Sequence, residues 1–158
     1  MQSGDETVFA QKAEALFRGL GEHRIMVLAT AEGGLVTARS MSCIIFDQKF
    51  YFQTDITMTK AKQMAANPNV ALCHSNYQIE GGCRETGHPL DEANRRFLAL
   101  YRKHYEGSYR KYSLLENERV YEISPVRIAV WDYEDGTPFQ DFYDFTGRTY
   151  RREYYGSP

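Results

Sequence analysis

Lys60 and Arg39 both stand where an unneutralised cation is disfavoured. Residues 50–64, FYFQTDITMTKAKQM, pass from an aromatic strand pattern through Gln53, Thr54 and Asp55 into a helical pattern beginning near Thr57. Lys60 thereby falls in a helical first turn. Unpaired amides make that end of a helix partially positive, so a lysine there costs ~0.3–1 kcal/mol. Arg39 alternates along its strand with Leu35, Thr37, Met41, Cys43 and Ile45. If that face is covered, the guanidinium lies among apolar neighbours and requires an anion. Taken singly, each residue has an ordinary explanation: a carboxylate pair or a snorkelling strand-edge arginine for Arg39, a solvated helix surface for Lys60. Taken together, they change the reading. Gln53 and Thr54 end the hairpin partner of the arginine strand, and Thr57, Thr59 and Lys60 open the helix that follows. Two cations, several hydroxyls and free helix amides converging on one point are the equipment for a phosphate monoester. The glycine patterns GxGxxG and GxxxxGK[ST] are missing, which argues against a Rossmann or nucleotide-triphosphatase site.

The other reactive side chains form no comparable constellation. Cys43, Cys73 and Cys83 are an odd number without an export signal, so they are expected as reduced thiols. A zinc site from Cys73, His74, Cys83 and His88 lacks any CxxC or HxxxH anchor, and Cys73 and His74 are strand neighbours pointing to opposite faces. His23, His74, His88 and His104 complete no Ser/His/Asp or Cys/His arrangement, and no catalytic acid or base is assigned. Residues 95–112, RRFLALYRKHYEGSYRKY, interleave basic and aromatic residues as single-strand nucleic-acid binders do. Helical spacing sorts many of the aromatics onto one face, which predicts a core-facing helix with a solvated basic side and no nucleic-acid partner.

The elements that must position these residues follow from periodicity. Ser3 and Glu6 have capping-box spacing ahead of Val8, Phe9, Ala13, Leu16, Phe17 and Leu20, a helical stripe that stops at Gly19 and Gly21. Residues 24–30, 35–46 and 49–54 read as three strands of an antiparallel meander. The helix from near Thr57 stops at Asn67-Pro68, and residues 70–75 and 77–85 are two further strands turning around Asn76. Five strands with one inserted short helix predict a barrel. About residues 89–118 a helical insertion interrupts the strand pattern, with Gly107 breaking it into two helices. Strands resume at residues 119–133, bent at Pro125, and continue through an Asp135-Gly136 turn to residues 138–145 and 148–155.

The 158 residues fit a single domain, with 42% apolar and 25% charged residues and a formal net charge of −2. That charge provides no global attraction to nucleic acid or anionic membrane, so an anion site must be local. Apolar runs are too short to span a bilayer and the N-terminus lacks signal-peptide regions, so a cytoplasmic location without membrane contact is expected. Twelve tyrosines and nine phenylalanines point to a sheet-rich fold or a large buried interface.

Residues 37–73, TARSMSCIIFDQKFYFQTDITMTKAKQMAANPNVALC, resemble the core of the pyridoxamine 5'-phosphate oxidase-like, FMN-binding split-barrel superfamily. The shared order is an arginine strand, an aromatic hairpin strand ending in threonine, a lysine one turn into a helix, and an Asn-Pro stop. YQIEGGCRETGHP and RIAVWDYEDGTP extend the likeness to small flavin-binding members with a helical insertion. The resemblance implies a mainly β, antiparallel, Greek-key-like split barrel with flanking α-helices, binding FMN at a homodimer interface. It assigns Arg39 and Lys60 to the FMN phosphate, Gln53 and Thr54 to the ribityl phosphate, and the strand through Ser40, Met41, Ser42 and Cys43 to the flavin's polar edge. Thr59 stands where the oxidases have a second cation. Trp131 is implied as a contribution from the second subunit, and Asn76 as a contact to the flavin edge. The chain departs from the true oxidases in reading Cys43-Ile44-Ile45 where their arginine strand ends in lysine, and in lacking their C-terminal Arg-Leu-His-x-Arg-like motif. The expectation is therefore an FMN-dependent oxidoreductase with a small planar substrate, not a pyridoxamine phosphate oxidase. A barrel that holds flavin without turnover, or haem through His74 or His88, is the alternative, and a deazaflavin would meet the same phosphate grip.

Overall fold

Six antiparallel strands close into a barrel in the computed structural model of the protein, which describes residues 2–156. The meander is β1 (His23–Glu32), β2 (Leu35–Phe46) and β3 (Lys49–Asp55). Its hairpins are two-residue turns with left-handed backbone, Gly33 and Gly34 at φ 55° and 81°, Asp47 and Gln48 at φ 52° and 57°. Such turns match the right-handed twist of the strands they join. The helix α2 (Thr59–Ala66) then carries the chain across, so that β4 (Asn69–His74) pairs with β1 and not with β3. The resulting order β4-β1-β2-β3 is a Greek key. Next, β5 (Tyr77–Gly87) pairs with β4, and the long β6 (Glu118–Glu134) pairs with β5. Residues 118–123 of β6 also pair with residues 50–55 of β3, which closes the ring. The other half of β6 stays paired with β5 through Val130 and takes β7 (Thr137–Asp144) on its opposite edge, and β7 pairs with β8 (Thr149–Tyr154). The mainly β, antiparallel split barrel expected from the sequence is the architecture observed.

Inward positions alternate along the strands as a period of two requires: Met26, Leu28, Cys43, Ile45, Leu72 and Ile79 are buried. α1 (Gln2–Leu20) lays Phe9, Ala13, Leu16 and Leu20 on this core at helical spacing. The helix starts before Ser3, so Ser3 stands inside it rather than capping it; its side chain lies outside the described residues. Glu6, the other half of the expected capping box, pairs with Arg148 at 2.9 Å.

A second apolar cluster sits outside the barrel. α3 (Arg95–His104) and α4 (Glu106–Tyr112) follow a 3-10 turn at Glu92–Asn94, and Phe97 and Tyr101 pack on Ile44, Tyr51 and Val120. The expected helical segment is present, but its break is not at Gly107, which lies within α4. The chain kinks at Tyr105, with φ −133° and ψ 53°. Its hydroxyl donates to the Cys43 carbonyl at 3.1 Å, a tertiary contact that ties the kink to β2. At Pro125 the expected bend is a register shift between β5 and β6. Gly81 faces it so closely that a Cβ would meet Ile123 and the Ser124 carbonyl oxygen at 2.7 Å.

Candidate functional site

A cavity of about 320 Å³ opens where β2, β3 and the start of α2 meet the α3–α4 segment. Ser40, Met41, Ser42, Gln53, Thr54 and Lys60 line it from the barrel side. Tyr101, Ser108, Tyr112, Leu115 and Glu118 line it from the helical side and the start of β6. The structure thus gathers six of the residues singled out from sequence.

The approach to Lys60 is set by a local competition. Asp55 accepts from the Thr57 amide at 2.7 Å and from the Thr57 hydroxyl at 2.6 Å. This turn keeps Thr57 out of the helix, so α2 begins at Thr59 and not near Thr57 as its pattern implies. Met58 stands at the cap, where its sulfur accepts from the Thr54 hydroxyl at 3.6 Å but caps no helix amide, and no acidic residue occupies the first turn. Lys60, in that uncapped first turn, forms no ion pair among the described residues. Burial, then the positive charge of Arg39, lowers its pKa below the usual lysine range, with Glu118 acting weakly the other way.

Arg39 sits at the mouth of the barrel interior. Its guanidinium donates to Thr30 at 2.9 Å, to the Leu28 carbonyl at 3.3 Å and to Thr37. Gln63 of α2 receives the hydroxyls of Thr30 at 2.5 Å and Thr37 at 2.7 Å, which locks this network. Every partner is neutral, and burial lowers the Arg39 pKa from its ordinary value. Gln53, nearly buried, accepts from Ser113 at 2.8 Å through Oε1, while its Nε2 is buried with no partner. An unmade buried hydrogen bond costs ~1–3 kcal/mol, so this amide is a donor lacking an acceptor.

Four candidates from the sequence do not line this cavity: Arg39, described above, and Thr59, Asn76 and Trp131. Thr59 is exposed at the start of α2. Asn76 donates its side-chain amide to the Trp131 carbonyl at 2.5 Å, pinning the β4–β5 turn to β6. Trp131 stacks on Tyr155 with 5.4 Å between ring centroids. The lining residues that sequence reading missed are Asp55, Met58, Tyr101, Ser108, Tyr112, Leu115 and Glu118. For Glu118 a signal existed: it shares strand parity with the apolar Val120.

The remaining thiols and histidines are engaged or inert. Burial pushes the pKa values of Cys43 and Cys83 up to about 12, so neither is a thiolate near neutral pH. His88 Nδ1 accepts from the Leu90 amide at 3.1 Å, and its Nε2 lies 2.8 Å from the Leu115 carbonyl, so both ring nitrogens are used. His74 Nε2 lies 3.3 Å from the Arg24 guanidinium. Both ring nitrogens of His88, and Nε2 of His74, thus already have protein partners.

Comparison with known proteins places these observations. The family model described as pyridoxamine 5'-phosphate oxidase matches residues 10–132. No curated protein matches the chain. Among solved structures the chain is similar to PhzG from Burkholderia lata 383 in complex with tetrahydrophenazine-1-carboxylic acid, with TM-score 0.62 and 16% identity over 97% of this chain and 93% of that one. It is similar to a pyridoxamine 5'-phosphate oxidase-related, FMN binding protein from Nostoc punctiforme, with TM-score 0.58 and 14% identity over 98% and 96%. It is also similar to HutZ, the haem storage protein from Vibrio cholerae, with TM-score 0.58 and 12% identity over 71% and 87%. At these identities the likeness is one of fold. Among the described residues no helix is long and apolar enough to cross a membrane.

Proposed function

The chain belongs to the pyridoxamine 5'-phosphate oxidase family, and from that premise we propose that it is a cytoplasmic, homodimeric FMN-binding oxidoreductase acting on a small planar substrate. The observation that carries this reading is the pair Arg39 and Lys60. Arg39 disfavours the charge on Lys60, neither has an ion-pair partner among the described residues, and the helix start beside them is uncapped. A dianionic phosphate would neutralise both. The residues present fit FMN on two counts: these cations, and the orphaned Gln53 amide in the cavity that Lys60 lines.

Bound flavin would supply reversible electron transfer. The chain's own residues would do the rest. Arg39, held rigid by Thr30, Thr37 and Gln63, and Lys60 would grip the phosphate, with Thr54 beside them. Ser40 and Ser42 would present backbone and hydroxyl groups along the ring, and Gln53 Nε2 would donate to an oxygen of the cofactor or substrate. Tyr101 and Tyr112 would exclude water from one side of the cavity. The departures at Cys43-Ile44-Ile45 and in the C-terminal strands keep pyridoxamine phosphate oxidation out of the proposal.

The outer sheet face supports the homodimer. Ile25, Val27, Ala29 and Ala31 of β1 lie beside Ser42, Ser40, Ala38 and Val36 of β2, a surface without a charge. Ile25 and Val36 are 53% and 67% exposed. Ser40 and Ser42 belong both to this face and to the cavity, so a second copy seated there would close the site and could bring Trp131.

The test is the visible spectrum of the purified protein, followed by titration of stripped protein with FMN and riboflavin. A flavin spectrum is expected, with FMN at least ~100-fold tighter than riboflavin, about 2.7 kcal/mol for a phosphate held by two charges. Lys60→Ala should weaken FMN at least tenfold and leave riboflavin unchanged. Equal affinity for the two flavins would remove the phosphate site, and a Soret band without flavin would favour haem.

A further inference from the structure

Two carboxylates on one face of β6 are treated in opposite ways. Glu122 receives the Tyr51 hydroxyl at 3.0 Å and pairs with Arg84 at 3.2 Å and Lys49 at 3.5 Å. Burial pushes its pKa up, but the bonds from Arg84 and Tyr51 and the charge of Lys49 outweigh this and hold it below the usual range. Glu118, four residues earlier, is only 5% exposed, and its carboxylate makes no hydrogen bond or ion pair among the described residues. Burial and then the negative charge of Asp55 push its pKa up, with Lys60 and His88 opposing. Its oxygens are not among the buried unpartnered atoms, so they keep open surface, and Glu118 lines the cavity in which a ligand's donor would meet them.

Glu118 does not stand alone. Gln53, 7% exposed, lines the same cavity with its Nε2 buried and unpartnered. Tyr101 and Tyr112 line it too, offering ring surface to a planar or cationic group. Asp55 completes a second like-charged pair, the acidic counterpart of Arg39 and Lys60. Its bonds from Thr57 hold its pKa below the usual range, so it stays ionised.

We propose that the Glu118–Gln53 corner of the cavity is a substrate subsite for an aromatic or heteroaromatic ring bearing a cationic amidine or amine. The ring's N–H groups donate to the Glu118 carboxylate, and an acceptor atom on the same ring receives Gln53 Nε2. The flavin reading is deepened by this subsite, which names the substrate class and rests on that reading only for the reaction that follows binding. Lys60 lines the cavity at one place and Glu118 and Asp55 at others, so a phosphate is drawn to the first and a cation to the second. The helical α3–α4 segment and the start of β6 supply the selective wall.

Pyridine-3-carboxamidine and pyridine-3-carboxylate share a ring and differ in charge. Both are titrated calorimetrically into flavin-free and FMN-saturated protein, wild type and Glu118→Gln. In the FMN-saturated wild type the amidine should bind at least tenfold tighter than the carboxylate. Glu118→Gln should abolish that preference and leave FMN affinity unchanged. With wild type alone, amidine affinity should fall on acidification beginning above pH 4.5, as Glu118 takes up a proton, a readout that survives if the variant does not fold. Retained, Glu118-dependent preference in a protein that binds no FMN would sustain the subsite while the flavin reading fails. Equal binding of the two probes, a preference that persists in Glu118→Gln, or displacement of FMN by the amidine would overturn it.

Discussion

His23 and His104 stack with 3.9 Å between ring centroids, and His104 Nε2 lies 2.6 Å from Glu22. This contact fastens the end of α3 to the start of β1, and through α3 it holds the wall that carries Tyr101. Burial, then the neighbouring His104, lowers the His23 pKa, with Glu22 opposing and Arg24 and Lys103 assisting. A lowered histidine value means that the unfolded chain binds more protons. The stabilisation is therefore complete above pH 6.5 and is lost as pH falls from there toward the folded value. Glu22, lowered chiefly by its bond from His104, adds a loss at still lower pH, below its ordinary 4.5. The melting temperature should fall on acidification below pH 6.5, and His23→Gln should flatten the upper part of that fall; an unchanged profile would remove His23 as its source. At this scale a residue becomes legible in the sequence where it violates a local rule. Lys60 broke the helix-dipole preference and Arg39 broke strand alternation, and both signs are visible without coordinates. Asp55 and Tyr101 break no rule and went unseen.

α4 makes a prediction at the scale of the element. Gly107 lies inside the helix, and a Cβ there would meet nothing within 4 Å. Gly107→Ala should stabilise the protein by about 0.5–1 kcal/mol through helix propensity and a less flexible unfolded chain, measured by urea denaturation. A destabilised variant would mean that Gly107 serves the kink after all. Strand and helix types followed from periods of two and 3.6, and the turns from Gly33-Gly34, Asn67-Pro68 and Asp135-Gly136. Boundaries set by side-chain competition did not. Asp55 captures Thr57 and moves the start of α2, and Tyr105 takes the kink because its hydroxyl reaches Cys43 across 62 positions of sequence.

For the whole molecule the proposed homodimer would rest on the outer face of β1 and β2. A charge at its centre would be buried unpaired if a second copy covers it. Val27→Asp should therefore shift the protein from dimer to monomer in sedimentation and weaken FMN binding together, whereas loss of neither would place the flavin within one protomer. By itself, the sequence determined the strand and helix pattern, the barrel family and the presence of two unneutralised cations near one helix start, because each rests on periodicity, turn chemistry or charges close in the chain. The tertiary structure alone decided that β4 returns to β1, that β6 closes the ring on β3, and that Glu118 faces the cavity of Lys60. Those contacts join residues distant in sequence, and their geometry depends on how the helical segment packs over the barrel, which no local pattern records.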